Sequence, residues 1–231
     1  MNGGTVNHCK NKAQIKATTQ DCDYLGGILG FNEDGYIKDC VNEGEIIGNN
    51  QIGGIAGEND GFDGHGYIER CINLGNIKGN EIVGGIAGEN DGFDGHGYIE
   101  RCINLGNIKG NEIVGGITGE NHRTASIINC ENIGHITGNE YAGGISGAAG
   151  VLEKDKKEIR YCINIGKIEC DSYGNAIVGA LYAASSGVIS AQWVGSGNTW
   201  YYVDAEGKMV TGDYEINGVV NHFNANGVWN N

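Results

Sequence analysis

Short apolar runs, each interrupted by glycine or a polar residue, recur through residues 1–182 at fixed distances from a recurring cysteine. A β-branched residue stands three positions before each cysteine, and an isoleucine stands six positions after it. No segment places apolar residues at i, i+3, i+4 and i+7, so the pattern predicts short strands rather than helices. The cysteines of this column are Cys9, Cys40, Cys71, Cys102, Cys130 and Cys162.

The spacing of these cysteines, 28 to 32 residues, defines six copies of one unit. Residues 53–83 recur without a change as residues 84–114. A period of this length is typical of repeat proteins in which each unit stacks on the next. We therefore predict an all-β fold for residues 1–182, a β-solenoid (β-helix) of about six turns of 27–32 residues, with equivalent residues about 4.8 Å apart.

Three columns of the repeat have predicted structural roles. An asparagine two residues after each cysteine, such as Asn73, is expected to form a ladder of side-chain amides along the axis. Glycines at fixed offsets are expected to form the corners, because glycine enters the left-handed region without steric cost. The cysteines are interpreted as free buried thiols, although neighbouring rungs also lie within the distance that a disulfide requires.

Residues 57–66 and 88–97 share the sequence GENDGFDGHG and are predicted to be inserted loops at one corner of the solenoid. Stacking would bring like charges together, and Ca²⁺ held by four aspartates would relieve the repulsion. The alternative is that both loops are solvated and that aspartate and glycine serve turn geometry. The candidate ligands are Asp60, Asp63, Asp91 and Asp94.

The composition changes after the repeats. All three tryptophans lie in the last 39 residues. Residues 183–191, rich in small side chains, are predicted to be a linker. Residues 192–231 are predicted to form short β-hairpins with aromatic strands and turns that end in glycine.

The stretch WVGSGNTWYYVDAEGKMVTG, followed by DYEINGVVNHFNANGVW, resembles the choline-binding or glucan-binding repeats of Gram-positive surface proteins. In that family, aromatic side chains form a cage that attracts a choline headgroup of teichoic acid by cation–π contact. The second hairpin departs from the pattern, with Asp213 where tryptophan is frequent and Val-Asn-His at residues 220–222 in place of Trp-Tyr-Tyr. The resemblance implies a choline or glycan cage formed by Trp193, Trp200, Tyr202 and Tyr214.

The repeats of residues 1–182 resemble the GLUG repeats of secreted bacterial proteins. Units of that family read Cys-x-Asn-x-Gly-x-Ile-x-Gly followed by Gly-Gly-Ile-x-Gly, as residues 71–79 and 84–88 do here. The resemblance implies a secreted, modular protein of the bacterial cell surface in which the repeats are not catalytic.

Charge and motifs exclude several classes of function. The net charge of −14 disfavours nucleic-acid binding, because phosphates would be repelled. No run of 18 apolar residues is present, so no membrane span is predicted. No Gly-x-Ser-x-Gly, His-Glu-x-x-His or phosphate-binding loop occurs, and no convergent catalytic site is expected.

The Glu-Arg pairs at residues 69–70 and 100–101 are interpreted as exposed ion pairs, with acid–base chemistry on a polysaccharide as the alternative.

These features predict a non-enzymatic β-solenoid adhesin or spacer, attached to the bacterial cell wall through choline-binding-type repeats. The expected partners are teichoic acid choline or glucan in the wall and a host surface ligand. The alternatives are a non-catalytic accessory region of a secreted peptidase or glycan hydrolase, and cleavage of polysaccharide by the solenoid itself. Because Met1 leads into the first repeat without a secretion signal, we expect a fragment, completed by missing neighbours or by end-to-end self-stacking.

Overall fold

The computed structural model of the chain describes residues 3–19, 22–93, 95–150, 159–182, 192–196, 199–203, 210–216, 218–224 and 228–230. The predicted linker, residues 183–191, and Asp94 lie outside the described residues. The described part contains strands and turns and no helix. None of its segments is therefore a helix that could cross a membrane.

Five parallel six-stranded sheets run side by side along one axis. Each rung of the chain contributes one strand to every sheet in turn, and the sheets are numbered 1 to 5 in the order in which the chain reaches them. The predicted all-β β-solenoid is confirmed. Six rungs are stacked along the axis, and the chain completes about five full turns from the first strand of sheet 1 to the last.

The solenoid strands are short, from two to five residues. Sheet 1 consists of Thr5–Asn7, Tyr36–Lys38, His65–Glu69, His96–Glu100, Ser126–Ile128 and Ile159–Arg160. Sheet 2 consists of Lys10–Asn11, Val41–Asn42, Ile72–Asn73, Ile103–Asn104, Glu131–Asn132 and Ile163–Asn164. Sheet 3 consists of Ile15–Lys16, Ile46–Ile47, Ile77–Lys78, Ile108–Lys109, Ile136–Gly138 and Ile168–Cys170. Sheet 4 consists of Leu25–Gly26, Ile52–Gly53, Ile82–Gly84, Ile113–Gly115, Tyr141–Gly143 and Tyr173–Asn175. Sheet 5 consists of Leu29–Glu33, Ala56–Asp60, Ala87–Asp91, Thr118–Asn121, Ser146–Gly150 and Val178–Tyr182.

Neighbouring rungs pair residues at equivalent positions of the repeat. Ile68 is aligned with Ile99 in sheet 1, and Asn73 is aligned with Asn104 in sheet 2. The aliphatic, cysteine and asparagine columns predicted from the sequence are thereby confirmed as ladders along the axis.

The interior of the solenoid is divided into two apolar cores. The larger core contains the isoleucines of sheet 1, the cysteine column and the isoleucine of each Gly-Gly-Ile segment, as in Ile68, Cys71 and Ile86. The smaller core lies between sheets 3 and 4 and contains Ile77 and Val83. These five side chains are 0–1% exposed, and burial of each isoleucine stabilises the fold by about 2 kcal/mol.

The asparagine column lies between the two cores. Asn73 donates from Nδ2 to Oδ1 of Asn104 and to the carbonyl oxygen of Gly75, both at 2.8 Å. The same amide-to-amide bond links every rung from Asn11 to Asn164. The predicted ladder is confirmed, and it satisfies amides that would otherwise be buried without partners.

The solenoid glycines are required by close approach and not by left-handed backbone. A Cβ atom at Gly53 would lie 1.9 Å from the carbonyl oxygen of Ala56, and one at Gly85 would lie 2.5 Å from Cγ of Asn104. Among the described glycines, only Gly212 and Gly218 have left-handed φ angles, and both belong to the hairpins. The prediction that left-handed glycines form the corners is wrong.

The corner between sheets 1 and 2 is formed instead by the residue that precedes each cysteine. Its φ angle lies between 52° and 55° in all six rungs. A left-handed φ costs a non-glycine residue about 1–2 kcal/mol, and asparagine tolerates it best. The six residues are His8, Asp39, Arg70, Arg101, Asn129 and Tyr161.

Substitution at Tyr161 tests this corner. We expect Tyr161→Asn to be more stable than Tyr161→Ala by about 1 kcal/mol, since asparagine enters the left-handed region at lower cost. Both variants lose the same contact with the guanidinium of Arg160. The difference in stability between them therefore reports the cost of the left-handed backbone conformation. Chemical denaturation of the two variants measures it, and equal midpoints would contradict the assignment.

The segments predicted as inserted loops are mostly strand. Ala56–Asp60 and His65–Glu69 flank a loop of residues 61–64 only, and the next copy has the same strand bounds around its loop. The reason is a second asparagine ladder, in which Nδ2 of Asn59 donates to Oδ1 of Asn90 at 2.8 Å. Its members, buried to at least 96%, are Asn32, Asn59, Asn90 and Asn121.

The eight cysteines are free thiols, as interpreted from the sequence. In the ladder, Sγ of Cys102 lies 3.4 Å from the carbonyl oxygen of Glu100 and 3.6 Å from that of Ile68. Burial raises the pKa of Cys102 well above its ordinary value. A raised pKa keeps the thiol protonated and uncharged, and a buried uncharged thiol packs as a small apolar group.

The C-terminal segment forms antiparallel sheets. Gln192–Ser196 pairs with Thr199–Val203, and Gly212–Ile216, Val219–Phe223 and Trp229–Asn230 form a three-stranded sheet. Their buried cluster consists of Tyr202, Val210, Ile216 and Phe223, with Tyr214 and Trp229 packed against it.

Candidate functional site

Five carboxylates and a histidine lie along three neighbouring rungs of sheet 5. The strand register pairs Glu58 with Glu89, Glu89 with Glu120, and Asp60 with Asp91. Within a strand, alternate residues project from the same face, so each glutamate and the aspartate two residues later share the face opposite the buried asparagine. This carboxylate row comprises Glu58, Asp60, Glu89, Asp91, Glu120 and His122.

The glutamates of the row are joined by neutral and basic side chains. Gln51 donates from Nε2 to Glu58 at 3.1 Å and also to Glu89. Nε2 of His122 lies 2.7 Å from Oε1 of Glu120, and its Nδ1 lies 3.8 Å from Oε1 of Glu89. His122 therefore bridges two rungs.

Burial makes the charge on this row costly. Glu58 and Asp60 are each 8% exposed. Burial, followed by the charge of Glu89, raises the pKa of Glu58 to about 8. Burial and the charge of Asp91 raise the pKa of Asp60 to about 6. The row therefore binds protons near neutral pH.

The electrostatic partner of the two aspartates is an arginine. Arg123 forms an ion pair with Asp91 and lies 4.5 Å above the ring of Phe93. Asp60 keeps one buried oxygen, Oδ1, without a hydrogen-bond partner. The structure thus brings Asp60 and Asp91 together, as the predicted calcium site required.

Asp63, the third described member of that predicted set, is exposed on the loop. The carboxylate of Asp34 accepts from the backbone nitrogens of residues 63 and 64, at 3.3 and 2.9 Å. Among the described residues, the three aspartates form no group of mutually close ligand atoms. Calcium binding by the set that includes Asp94 stays a prediction.

One group of described side chains brings three potential metal ligands close together. Ligand atoms of Glu89, Glu120 and His122 all lie within 4.8 Å of one another. The sequence analysis missed this group, because its only candidate metal ligands were the aspartates of the repeated GENDGFDGHG segments. The available signal was Glu-x-His at residues 120–122, one repeat after Glu89, on an extended segment where i and i+2 share a face.

The outer face of sheet 1 carries rows of stacked rings. Tyr36, Tyr67 and Tyr98 stack with centroid separations of 4.5 and 4.8 Å. His65 and His96 form a neighbouring stacked pair at 5.4 Å. Because the rings are within 21° of parallel, they cover one another's faces and present their edges to solvent.

The interpretation of the Glu-Arg pairs as exposed ion pairs is confirmed. Arg70 donates to Asp39 at 2.8 and 3.0 Å and contacts Glu69. Arg101 bridges Glu69 and Glu100 at 3.2 and 3.0 Å.

The predicted aromatic cage maps to the hairpins. The strand register makes Trp193 the cross-strand partner of Tyr202 and Gly195 that of Trp200. The side chains of Trp193 and Trp200 lie outside the described part of the structure. The ring of Tyr202 is 9% exposed and lies 5.9 Å from that of Tyr214, so Tyr202 belongs to the hairpin core. Ligand binding by these residues stays a prediction.

The chain was compared with protein-family models, with curated proteins and with solved structures, and none of them matches it.

Proposed function

We propose that this chain is a non-enzymatic protein of the bacterial cell surface, in which the hairpins bind the cell wall and the solenoid is displayed as an adhesin or spacer. The observation that supports wall binding is the register of the first hairpin. Trp193 pairs with Tyr202, and Trp200 lies two residues before Tyr202 on the same strand, positions that share one face of a hairpin. The backbone therefore places two tryptophans beside Tyr202 in the register, and exposed aromatic side chains suit a choline headgroup or a sugar ring.

The solenoid supports a display role by its regularity. Its surface repeats the same side chains from rung to rung, as in the stacked tyrosines and the ion pairs of Arg70 and Arg101. Such ladders give a stiff body, because every strand is hydrogen-bonded to the rung on each side. The resemblance to GLUG repeats agrees with secretion and with a place on the cell surface.

Retention on a choline-bearing resin tests the proposal. We expect the full chain to be retained and Trp200→Ala to be retained roughly fivefold less, since loss of one cation–π contact costs about 1 kcal/mol. Trp200 is the better target, because truncation of the buried Tyr202 would disturb the hairpin core.

Tyr173→Ala is the matched control, because Tyr173 is a 60% exposed ring on the solenoid. It should be retained like the unmodified chain. Passage of the unmodified chain through both choline and glucan resins would refute wall binding by the hairpins.

A further inference from the structure

We propose that Glu89, Glu120 and His122 hold a divalent transition-metal ion on the carboxylate row of the solenoid. Their ligand atoms lie within 4.8 Å of one another. Metal–ligand bonds of about 2.1 Å place two donors up to about 4.2 Å apart, so small side-chain rotations close the site. The three residues lie on two adjacent rungs and converge from different parts of the sequence.

The backbone holds these donors in place. Glu89 and Glu120 are register partners in sheet 5. The backbone nitrogen of His122 donates to the carbonyl oxygen of Asn90 at 2.8 Å, which extends the same pairing by one residue. The residues next to the glutamates in the sequence, Asn90 and Asn121, are fully buried, and the side chain of Asn90 donates a hydrogen bond to that of Asn121. Donors fixed by a hydrogen-bonded sheet lose little entropy when they bind an ion.

The charges around the group call for a cation. The row contains five carboxylates, and four of them, Glu58, Asp60, Asp91 and Glu120, are 4–8% exposed. Arg123 is engaged with Asp91, and His122 carries a positive charge only when it is protonated. Buried carboxylates without paired positive charge are unfavourable. The row therefore gains stability from either protons or a bound ion.

An independent sign of a missing partner is Asp60. The residue is 8% exposed, and its buried Oδ1 makes no hydrogen bond. It projects from the row two residues after Glu58, whose neighbour in the next rung is the proposed ligand Glu89. Buried polar atoms are almost always paired, so this oxygen shows that the positive charge present in the row does not satisfy all of its carboxylates.

The donor set selects the kind of ion. Calcium prefers six to eight oxygen ligands, and this group offers an imidazole nitrogen and carboxylates. Imidazole and carboxylate together suit Mn²⁺, Fe²⁺ or Zn²⁺. The site is independent of the proposed wall binding, because it lies on sheet 5 and uses no hairpin residue.

Titration with Mn²⁺, followed by the loss of the free-ion electron paramagnetic resonance signal, tests the site. Mn²⁺ is the preferred probe because the incompletely buried thiols of Cys9, Cys22 and Cys170 favour Zn²⁺. We expect the full chain to bind Mn²⁺ and both Glu89→Gln and His122→Gln to bind it at least tenfold more weakly. His65→Gln, which removes an exposed histidine elsewhere on the solenoid, is the matched control and should bind like the unmodified chain.

A second measurement covers variants that fail to fold. In the unmodified chain, bound Mn²⁺ should broaden the ring resonances of His122 far more than those of His8, which lies three rungs away along the axis. Absence of binding at millimolar Mn²⁺ would overturn the proposal, and so would equal affinity in His122→Gln or equal broadening of both histidines.

Discussion

Replacing Glu58 by glutamine is expected to stabilise the protein at pH 8 and to change its stability little at pH 5. The pKa of Glu58 is raised from 4.5 to about 8, first by burial and then by the charge of Glu89. Glutamine has nearly the same shape, carries no charge and can still accept the bond from Gln51. At pH 8 we expect a gain of about 3 kcal/mol, below the full value of the pKa shift because solvent reaches part of the carboxyl group.

The direction follows from proton linkage. A carboxyl group with a raised folded-state pKa binds a proton more tightly in the folded protein than in the unfolded chain. The stabilisation from proton binding by Glu58 is complete below the unfolded-state pKa of 4.5. It is lost as the pH rises toward the folded-state pKa of about 8. Asp60, whose pKa is raised to about 6, acts in the same direction. So does His122, whose pKa is raised by its hydrogen bond to Glu120.

The free energy of unfolding of the unmodified protein should therefore decline between about pH 5 and pH 8. Chemical denaturation at several pH values, followed by circular dichroism, measures the profile. Glu112→Gln is the matched control, because Glu112 is exposed on the same solenoid and its loss should leave the decline intact. A Glu58→Gln profile as steep as that of the unmodified chain would show that Glu58 does not carry the effect.

Gly85→Ala is expected to destabilise the solenoid by about 4 kcal/mol or more, which is the range of severe single substitutions. The added Cβ would lie 2.1 Å from the carbonyl oxygen of Gly116 and 2.5 Å from Cγ of Asn104. Both atoms belong to the next rung, where the amide of Asn104 is held by hydrogen bonds to the rungs on either side. Neither can move without opening the interface between two rungs, so the strain has no local relief.

Gly64→Ala is the control for the loss of a glycine elsewhere in the solenoid. The atoms nearest to a Cβ at Gly64 would be those of the Asp34 carboxylate, at 3.2 Å or more, and this flexible side chain can shift by the few tenths of an ångström required. Thermal or chemical denaturation should show a large loss for Gly85→Ala and a small change for Gly64→Ala. Similar losses in both would contradict the role of close approach.

The repeat pattern was sufficient to predict the solenoid and its ladders. A period of about 31 residues requires equivalent positions to stack, and a column that contains only isoleucine, cysteine or asparagine identifies what stacks. The ladders of Cys71, Asn73 and Ile77 were predictable in this way because each depends on one residue type repeated at one offset. Predictions for the glycines failed because the same residue serves both left-handed turns and close approach.

The sequence by itself determined which residues are equivalent, and therefore which would lie above one another. Only the tertiary structure decided which face of each rung points inward. It buried Asn59 in a segment whose composition is typical of a loop, and it divided the interior into two cores along the Asn73 column. It also brought His122 against Glu89 from the preceding rung. The physical reason is that a repeat fixes spacing along the axis, whereas the path of the chain around the axis depends on packing between sheets that lie far apart within one turn.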